Sequence, residues 1–516
     1  MSKQIALDLG DKIFDPVPID KFEVLDRDQL IEYIRLQHDV VQQVVADNNR
    51  LRSLNEELAQ KQILIADQLI TIKGKLYGKS SERQPPQSSK VRGPRRGGKR
   101  RRVQLPSERY PEASLIEQEI TFSEVPNCSC CKSQMKDSGM TEDSEFLTTI
   151  PAQTLVIRQK RHKYSCVKCF SCIKTAPMPP RISPGSSYSD NMVVDVAMSK
   201  YCDLIPVERY VSMKAREGFE GLPAQSLIDQ THKLADFVEG AYEQLKAEIL
   251  AATLLHADET PHRMLEGSLK NKWYLWGFST ASSAYFECHE TRSGDVAARF
   301  LKDSKAKYLV SDVYSGYGKA VKETNKLREK DKIEFLKNVY CNAHARRKFK
   351  ESMEKYPDES QIFIELYAKI YRLEKIAKAR PNQKRKLRVR RLMKPLFEQM
   401  RLLATEQIGA YSTKSKMSVA MKYFLKNYKE LTLFTGISEL PIDNNRQESL
   451  LRSPVIGRKT WYGTHSPRGA KTMAILFSLV ESCKLNKINP RQYFKKLIEN
   501  LHAGQNPFTP AKFNTS

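Results

Sequence analysis

The sequence predicts a multidomain α+β protein in which an α/β domain, interrupted by a helical insertion, follows a coiled coil, a small cysteine-paired module and a helical region. Three observations predict it. Residues 27–78 carry a heptad pattern, two C-x-x-C pairs occur at Cys128/Cys131 and Cys166/Cys169, and beyond residue 251 there are short apolar runs, two of which end on an aspartate. At 516 residues the chain is too long for one ordinary core, and about three or four domains are expected.

Charge narrows the class. Lys and Arg total 86 against 60 Asp and Glu, a formal charge of +26, and such an excess points to a polyanionic partner, either nucleic acid or an anionic membrane. No apolar run approaches the roughly 18 residues that a membrane span needs. The opening MSKQIALDLGDKIFDP places acids where an export signal would be basic and then apolar. The expectation is a cytoplasmic, nucleoid-associated protein with nucleic acid as partner and no membrane. Its ten cysteines are then expected as reduced thiols or metal ligands and not as a disulfide framework.

Residues 27–78 are the expected coiled coil. With Val41, Asn48, Asn55, Gln62, Leu69 and Leu76 at a, the d positions are Val44, Leu51, Leu58, Ile65 and Ile72, all apolar. A long helix packed on its own protein would show a similar stripe. Polar residues at successive a positions give up stability to fix register and strand number, which favours a parallel homodimer. Residues 79–108 shift to Pro, Gly, Ser and Arg, a composition that cannot build a core and reads as a linker. Between Lys90 and Arg102, eight residues are basic and none acidic, Arg100, Arg101 and Arg102 among them. Such a run either grips phosphates or keeps a tether soluble.

Residues 109–182 are the expected zinc-binding module. Cys128 and Cys131, paired with Cys166 and Cys169, supply the two turns of two thiolates that one tetrahedral, structural Zn²⁺ requires. Cys130 and Cys172 are surplus thiols that could replace a neighbour at either end. Residues 183–250 read as helices: DNMVVDVAMSKYC, IPVERYVSMKAREG and, after the turn FEGLPA, one long run from Gln225 to Leu250. The pattern is consistent with a DNA-binding helix-turn-helix, and a helical bundle without DNA contacts has the same one.

Residues 251–349 change to strands: TLLHAD, KWYLWGFS and AYFECHE, then a helix at GDVAARFL and a strand at AKYLVSD. Three strands, a helix and a further strand is the order of a ribonuclease-H-like fold, in which Asp258 and Asp312 end side by side. One Asp after a strand commonly forms a turn or caps a helix. A pair of them in a basic chain favours a Mg²⁺ site instead, and two ions about 4 Å apart need a further acid. Glu448, in ELPIDNNRQESLLRSPVIGRKTWYG, is the candidate, about one turn inside a helix begun by Asp443 or Asn444. Arg452, Arg458 and Lys459 downstream suit a phosphate backbone. Residues 350–432 are an expected helical, basic insertion, residues 433–500 the second part of the core, and 501–516 a tail. From Lys375 to Lys394 ten of twenty residues are Lys or Arg, Arg385 and Arg388 included, with no acid. That stretch reads as a DNA track or as a solvated helix face.

HADETP, SDVYSGY, CNAHARRKF and IDNNRQES followed by GRKTW resemble, in combination, the blocks of the transposases of the insertion-sequence family numbered sixty-six, which are DDE transposases. KLYGKSSER resembles the segment after that family's leucine zipper, IRQKRHKYSCVKC its zinc-binding region, and SKYCDLIPVERY also matches, so the resemblance spans about residues 30 to 500. It implies that Asp258, Asp312 and Glu448 hold two Mg²⁺ ions and that Cys341 and His344 form an accessory C-x-x-H. Unaided, His344 reads as a packed or basic-helix histidine. Ser449 stands where the family usually has Arg. The implied activity is binding of an element's terminal inverted repeats and of target DNA, with in-line attack on a phosphodiester first by water and then by the exposed 3′-hydroxyl. Small accessory proteins of the same element are implied as partners. Two other readings share these features: a non-catalytic DNA-binding regulator or inactivated relative, and a ribonuclease-H-like nuclease that cuts without joining.

Overall fold

The structure, a computed structural model, describes residues 26–77, 105–109, 115–117, 124–127, 129–135, 144–147, 154–165, 173–266 and 271–515. The first element is the 51-residue helix α1 (Arg27–Tyr77), about 77 Å long at 1.5 Å per residue. Its described apolar heptad residues are uncovered: Val44, Leu51 and Leu58 are each about half exposed. A short helix α2 (Pro106–Arg109) follows.

One compact unit comprises residues 79–200 and 205–233. It holds an antiparallel hairpin of β1 (Lys163–Ser165) and β2 (Ile173–Thr175), then α3 (Asp190–Tyr201), α4 (Val207–Arg216) and most of α5 (Ala224–Phe237). Val196, Val207, Tyr210 and Leu227 form its helical core, and the Tyr210 hydroxyl donates to Asp195 across α3 and α4 at 2.8 Å. The expected turn FEGLPA is real: Gly221 within it takes φ of 77°, and Gly218, just before it, 94°, the left-handed region that suits glycine. Cys128, Cys166, Cys169 and Cys172, together with Arg100, Arg101 and Arg102, lie outside the described residues. Cys130 and Cys131 are exposed.

The single long helix expected from Gln225 to Leu250 is two helices, α5 and α6 (Glu239–Leu250), separated at Val238 (φ −98°, ψ 8°). Val238 is fully buried; it is β-branched and precedes Glu239-Gly240, so packing wins over weak local helix preference. In the second compact unit, which includes residues 201–204 and 234–516, α6 donates a hydrogen bond from the Tyr242 hydroxyl to the Phe286 carbonyl at 2.8 Å.

That unit is built on a five-stranded mixed sheet of order β5-β4-β3-β6-β7. Its strands are β3 (Leu254–Arg263), β4 (Lys272–Ser279), β5 (Ala284–His289), then, after helix α7 (Gly294–Lys302), β6 (Tyr308–Ser311), helix α8 (Ser315–Lys330) and β7 (Lys337–Tyr340). β5, β4 and β3 run antiparallel, whereas β3, β6 and β7 are parallel. The strand expected to stop at Asp258 continues to Arg263, because pairing with β4 persists to Arg263↔Lys272 while pairing with β6 ends at His256↔Val310. Asp258 therefore closes the parallel ladder but sits mid-strand in the hairpin.

Helices α9 (Asn342–Ser352), α10 (Pro357–Lys378), α11 (Gln383–Arg391), α12 (Lys394–Gln407), α13 (Lys416–Lys426) and α14 (Tyr428–Thr432) follow. One apolar cluster joins Val310 and Val339 of the sheet to Phe349, Phe363, Phe397 and Phe424 of these helices. Next come α15 (Asn445–Trp461), α16 (Pro467–Leu485) and α17 (Pro490–His502). Ser478 and Ser482, one turn apart on α16, accept the Phe286 and Ala284 N–H groups of β5 at 2.8 and 2.9 Å, which satisfies donors that an edge strand would otherwise offer to another chain.

Candidate active site

Asp258 and Asp312 meet because β3 and β6 are parallel neighbours. Their register ends at His256↔Val310, and two further residues along each strand are the two aspartates. Asp258 accepts the Glu259 N–H at 2.9 Å. Asp312 accepts the Tyr314 N–H at 3.1 Å, an Asx turn that leads into α8.

Glu448 arrives on the first turn of α15, and the start of that helix is pinned to the sheet. Asn444, the N-cap, uses its side chain elsewhere: its Nδ2 donates to the Ala257 carbonyl at 2.9 Å and its Oδ1 pairs with His256 Nδ1 at 2.8 Å. Burial holds His256 down at about 4, so the ring is neutral and its Nδ1–H is the donor. The Asn444 N–H points to Cys341 Sγ at 3.2 Å. Gln447, fully buried, accepts from Ser279 at 2.5 Å. Its amide nitrogen would lie 2.2 Å from a Cβ at Gly277, the cross-strand partner of Asp258. A side chain there would displace the Gln447 amide from its place against β4.

Cys341 and His344 join the same place: one donor atom each from Cys341, His344 and Glu448 lie within 4.8 Å of one another. His344 Nδ1 is 3.6 Å from Glu448 Oε1, and Arg347 Nη2 is 3.7 Å from Oε2. Burial pushes the Cys341 thiol up to about 11, so it serves as a neutral acceptor for the α15 cap.

Burial, then the nearby negative charges of Glu259, Asp312 and Glu448, push the Asp258 carboxyl up to about 8. Carboxylates from β3, from the residue after β6 and from α15 are oxygen donors of the kind hard divalent cations take. Glu448 Oε1 is buried without a hydrogen-bond partner, an open acceptor on the same cluster. Such oxygens suit a divalent metal, while among the described residues the three ligand atoms that lie within 4.8 Å of one another are those of Cys341, His344 and Glu448 and not of the three acids.

The fourth acid, Glu259, was not anticipated beyond its place in HADETP. Its carboxylate accepts from the Tyr317 hydroxyl at 2.6 Å and from Arg292 Nε at 2.7 Å. Successive strand residues face opposite sides of a sheet, so Glu259 anchors α8 through Tyr317 instead of joining Asp258. Arg292 in turn lies 4.2 Å over the Tyr314 ring.

Of the basic residues, Arg452, Lys459, Arg385 and Arg388 are exposed and Arg458 half-buried. Arg390, counted in the same basic stretch, is not on the surface: it forms a buried pair with Glu374 at 2.6 Å and donates to the carbonyls of Phe434 and Ile437. A cation at that position closes the turn leading towards Asn444, which removes it from any DNA track.

Comparison with known families gives two matches. Residues 185–472 match the model of the transposase IS66 family, and residues 126–169 match the zinc-finger binding domain of transposase IS66. The chain belongs to the IS66 transposase family. Among curated relatives, three proteins of Sinorhizobium fredii are similar. y4hP is 25% identical over 413 residues, covering 76% of this chain and 73% of its own. y4jD is 25% identical over 390 residues, 73% and 75% of the two chains, and y4qI 26% over 430 residues, 79% and 76%; all three are described as uncharacterized. Membership in the IS66 family implies a nucleic-acid-acting enzyme that binds DNA, and its zinc-finger domain supports zinc. Among the described residues no helix is long and apolar enough to cross a membrane.

Proposed function

We propose that the chain is a DNA transposase that binds the terminal inverted repeats of its element, cuts at their ends and joins the exposed 3′-hydroxyls to target DNA. The convergence of Asp258, Asp312 and Glu448 from three separate elements onto one half-buried cluster carries this reading. Two Mg²⁺ ions held there would neutralise charge on the phosphate and lower the pKa of the attacking hydroxyl. The chain's own residues align the reaction. Asn444 and Gln447 hold Glu448 against β3 and β4, and His344 and Arg347 face its carboxylate. Arg452, Arg458 and Lys459, with Arg385 and Arg388 on α11 and Arg100, Arg101 and Arg102 in the linker, contact phosphates. Such contacts position DNA without reading its sequence.

The remaining parts support paired-end work in the cytoplasm: α1 as a homodimeric coil over 27–78, the linker 79–108, a zinc module over 109–182 and a DNA-binding helical region over 183–250. The core spans 251–349 and 433–500 around the insertion 350–432, and small proteins of the same element assist. The decisive assay incubates the purified chain and Mg²⁺ with DNA carrying the inverted repeats that bracket its gene. Cleavage with joined product is expected; cleavage alone makes it a nuclease, and binding alone a regulator.

Zinc is the second test. Cys128, Cys131, Cys166 and Cys169 should hold about one Zn²⁺ per chain, and Cys128→Ser or Cys166→Ser should lose it and weaken specific end binding. Metal analysis of fresh, reduced protein that found none would remove the zinc site.

The acid cluster makes stability depend on pH. Asp258 titrates at about 8 in the folded, metal-free chain, against about 3.9 when unfolded. The folded state thus holds the extra proton between those values, and metal-free stability should fall as pH rises through the window. Mg²⁺ engages only the ionised carboxylate, so its stabilisation should grow over the same range. Melting curves at about pH 6 and about pH 8, with and without Mg²⁺, check this. Equal Mg²⁺ stabilisation at both, or an unchanged trend in Asp258→Asn, would count against the cluster as a metal site.

A further inference from the structure

Farther along β3 and α15, the two elements that carry Asp258 and Glu448, lies an open cavity of about 480 Å³ whose lining is mostly apolar. Pro261 and Arg263 of β3, Lys272 of β4, and Arg458, Lys459 and Tyr462 from the end of α15 border it, and none of the described residues lining it is a carboxylate. Its volume is within the ~300–1,000 Å³ of small-ligand pockets.

Tyr462 is the unusual member. It ends α15 in the left-handed conformation (φ 66°) with its side chain 71% exposed. Glycine or asparagine ordinarily fills that position, because a Cβ is crowded there. The backbone cannot relax. Gly463 follows at φ 139°, where a Cβ would lie 2.2 Å from the Arg263 carbonyl. Thr464 donates to that same carbonyl at 3.0 Å, and Leu265 donates to the Thr464 carbonyl at 2.8 Å. The neighbouring Trp461 packs edge-on against Tyr201, whereas Tyr462 adds no comparable ring packing to the core. Strain kept at an exposed aromatic points to use by a ligand.

A cavity with an aromatic at its rim, apolar walls and four unopposed cations suits a flat apolar ring joined to anions. Within the reading of the chain as a DNA transposase, we propose that this cavity receives one unpaired nucleotide of the bound DNA end. Its base stacks on Tyr462, and Arg263, Lys272, Arg458 and Lys459 neutralise the flanking phosphates. A paired base cannot enter, because its faces are covered within the duplex.

The test uses the full chain and element-end duplexes, either fully paired or with an unpaired overhang carrying 2-aminopurine at successive positions. Quenching by the native protein is expected at one position of the overhang and not on the fully paired duplex. It should persist in Tyr462→Phe and Tyr462→Trp and vanish in Tyr462→Gly, with about tenfold weaker binding of the overhang end and little change on the paired duplex. Glycine relieves the backbone strain, so loss in that variant cannot be assigned to misfolding. Unchanged quenching in Tyr462→Gly, or an equal loss on the paired duplex, overturns the proposal while leaving the transposase reading in place. Absence of binding to any element DNA overturns both.

Discussion

Asp258→Asn is expected to abolish strand cleavage and strand joining while leaving binding to the element ends nearly intact. The substitution keeps the side chain's shape and removes a charge that the fold opposes: burial and three neighbouring carboxylates already disfavour the ionised form. Folding should therefore be unharmed. What is lost is a ligand, and metal charge stabilisation is worth several kcal/mol in a transition state, so a rate loss of about a thousand-fold or more is expected. Asp312→Asn and Glu448→Gln should do the same. The phosphate contacts proposed for Arg452 and Lys459 are untouched, so band-shift affinity should move little. Any one of the three variants that joins ends at the normal rate leaves the triad.

Leu51→Pro combined with Leu58→Pro is expected to turn a dimer into a monomer that nicks single ends weakly and fails to join paired ends. α1 exposes the described d-position side chains Val44, Leu51 and Leu58 on a helix of 51 residues, and a lone helix with such a stripe has little tertiary packing to sustain it. In the proposed dimer a second copy covers the stripe, and Asn48 and Asn55 at a restrict the coil to two strands. Each interior proline costs about 3 kcal/mol and breaks the ladder of helix hydrogen bonds. Joining requires two ends held together, and tethering through a coil supplies the local concentration that free monomers lack. Light scattering that found the native chain monomeric on and off DNA, or a double variant that joined normally, would falsify dimerisation through this helix.

How much of this was legible in the sequence depends on distance along the chain. Asp258 and Asp312 were readable because short apolar runs announce strands, and Glu448 because IDNNRQES announces a helix start. The reach of β3 to Arg263 was not, since Pro261 and the charged residues after Asp258 have no strand signature and owe their conformation to β4. Asn444 reads as an ordinary cap, and its commitment to His256 and Ala257 is invisible without the fold. Arg390 looks like one more surface cation until Glu374 and the carbonyls of Phe434 and Ile437 are seen around it. Gly277 likewise reads as a weak point in a strand, although it is the space into which Gln447 fits.

The bond from Asn444 to His256 spans 188 positions, and that length sets a clock on synthesis. At about 5–20 residues per second, roughly 10 to 40 s pass between the ribosome's completing β3 and its completing the start of α15. Asp312 is made part-way through that interval, and from then until Glu448 the nascent chain has two of its three acids and lacks the third. A message cut short before Asn444 would still encode α1, the zinc module and the helical region. If the proposed dimerisation and end binding hold, its product should pair with complete chains and occupy element ends without cutting them.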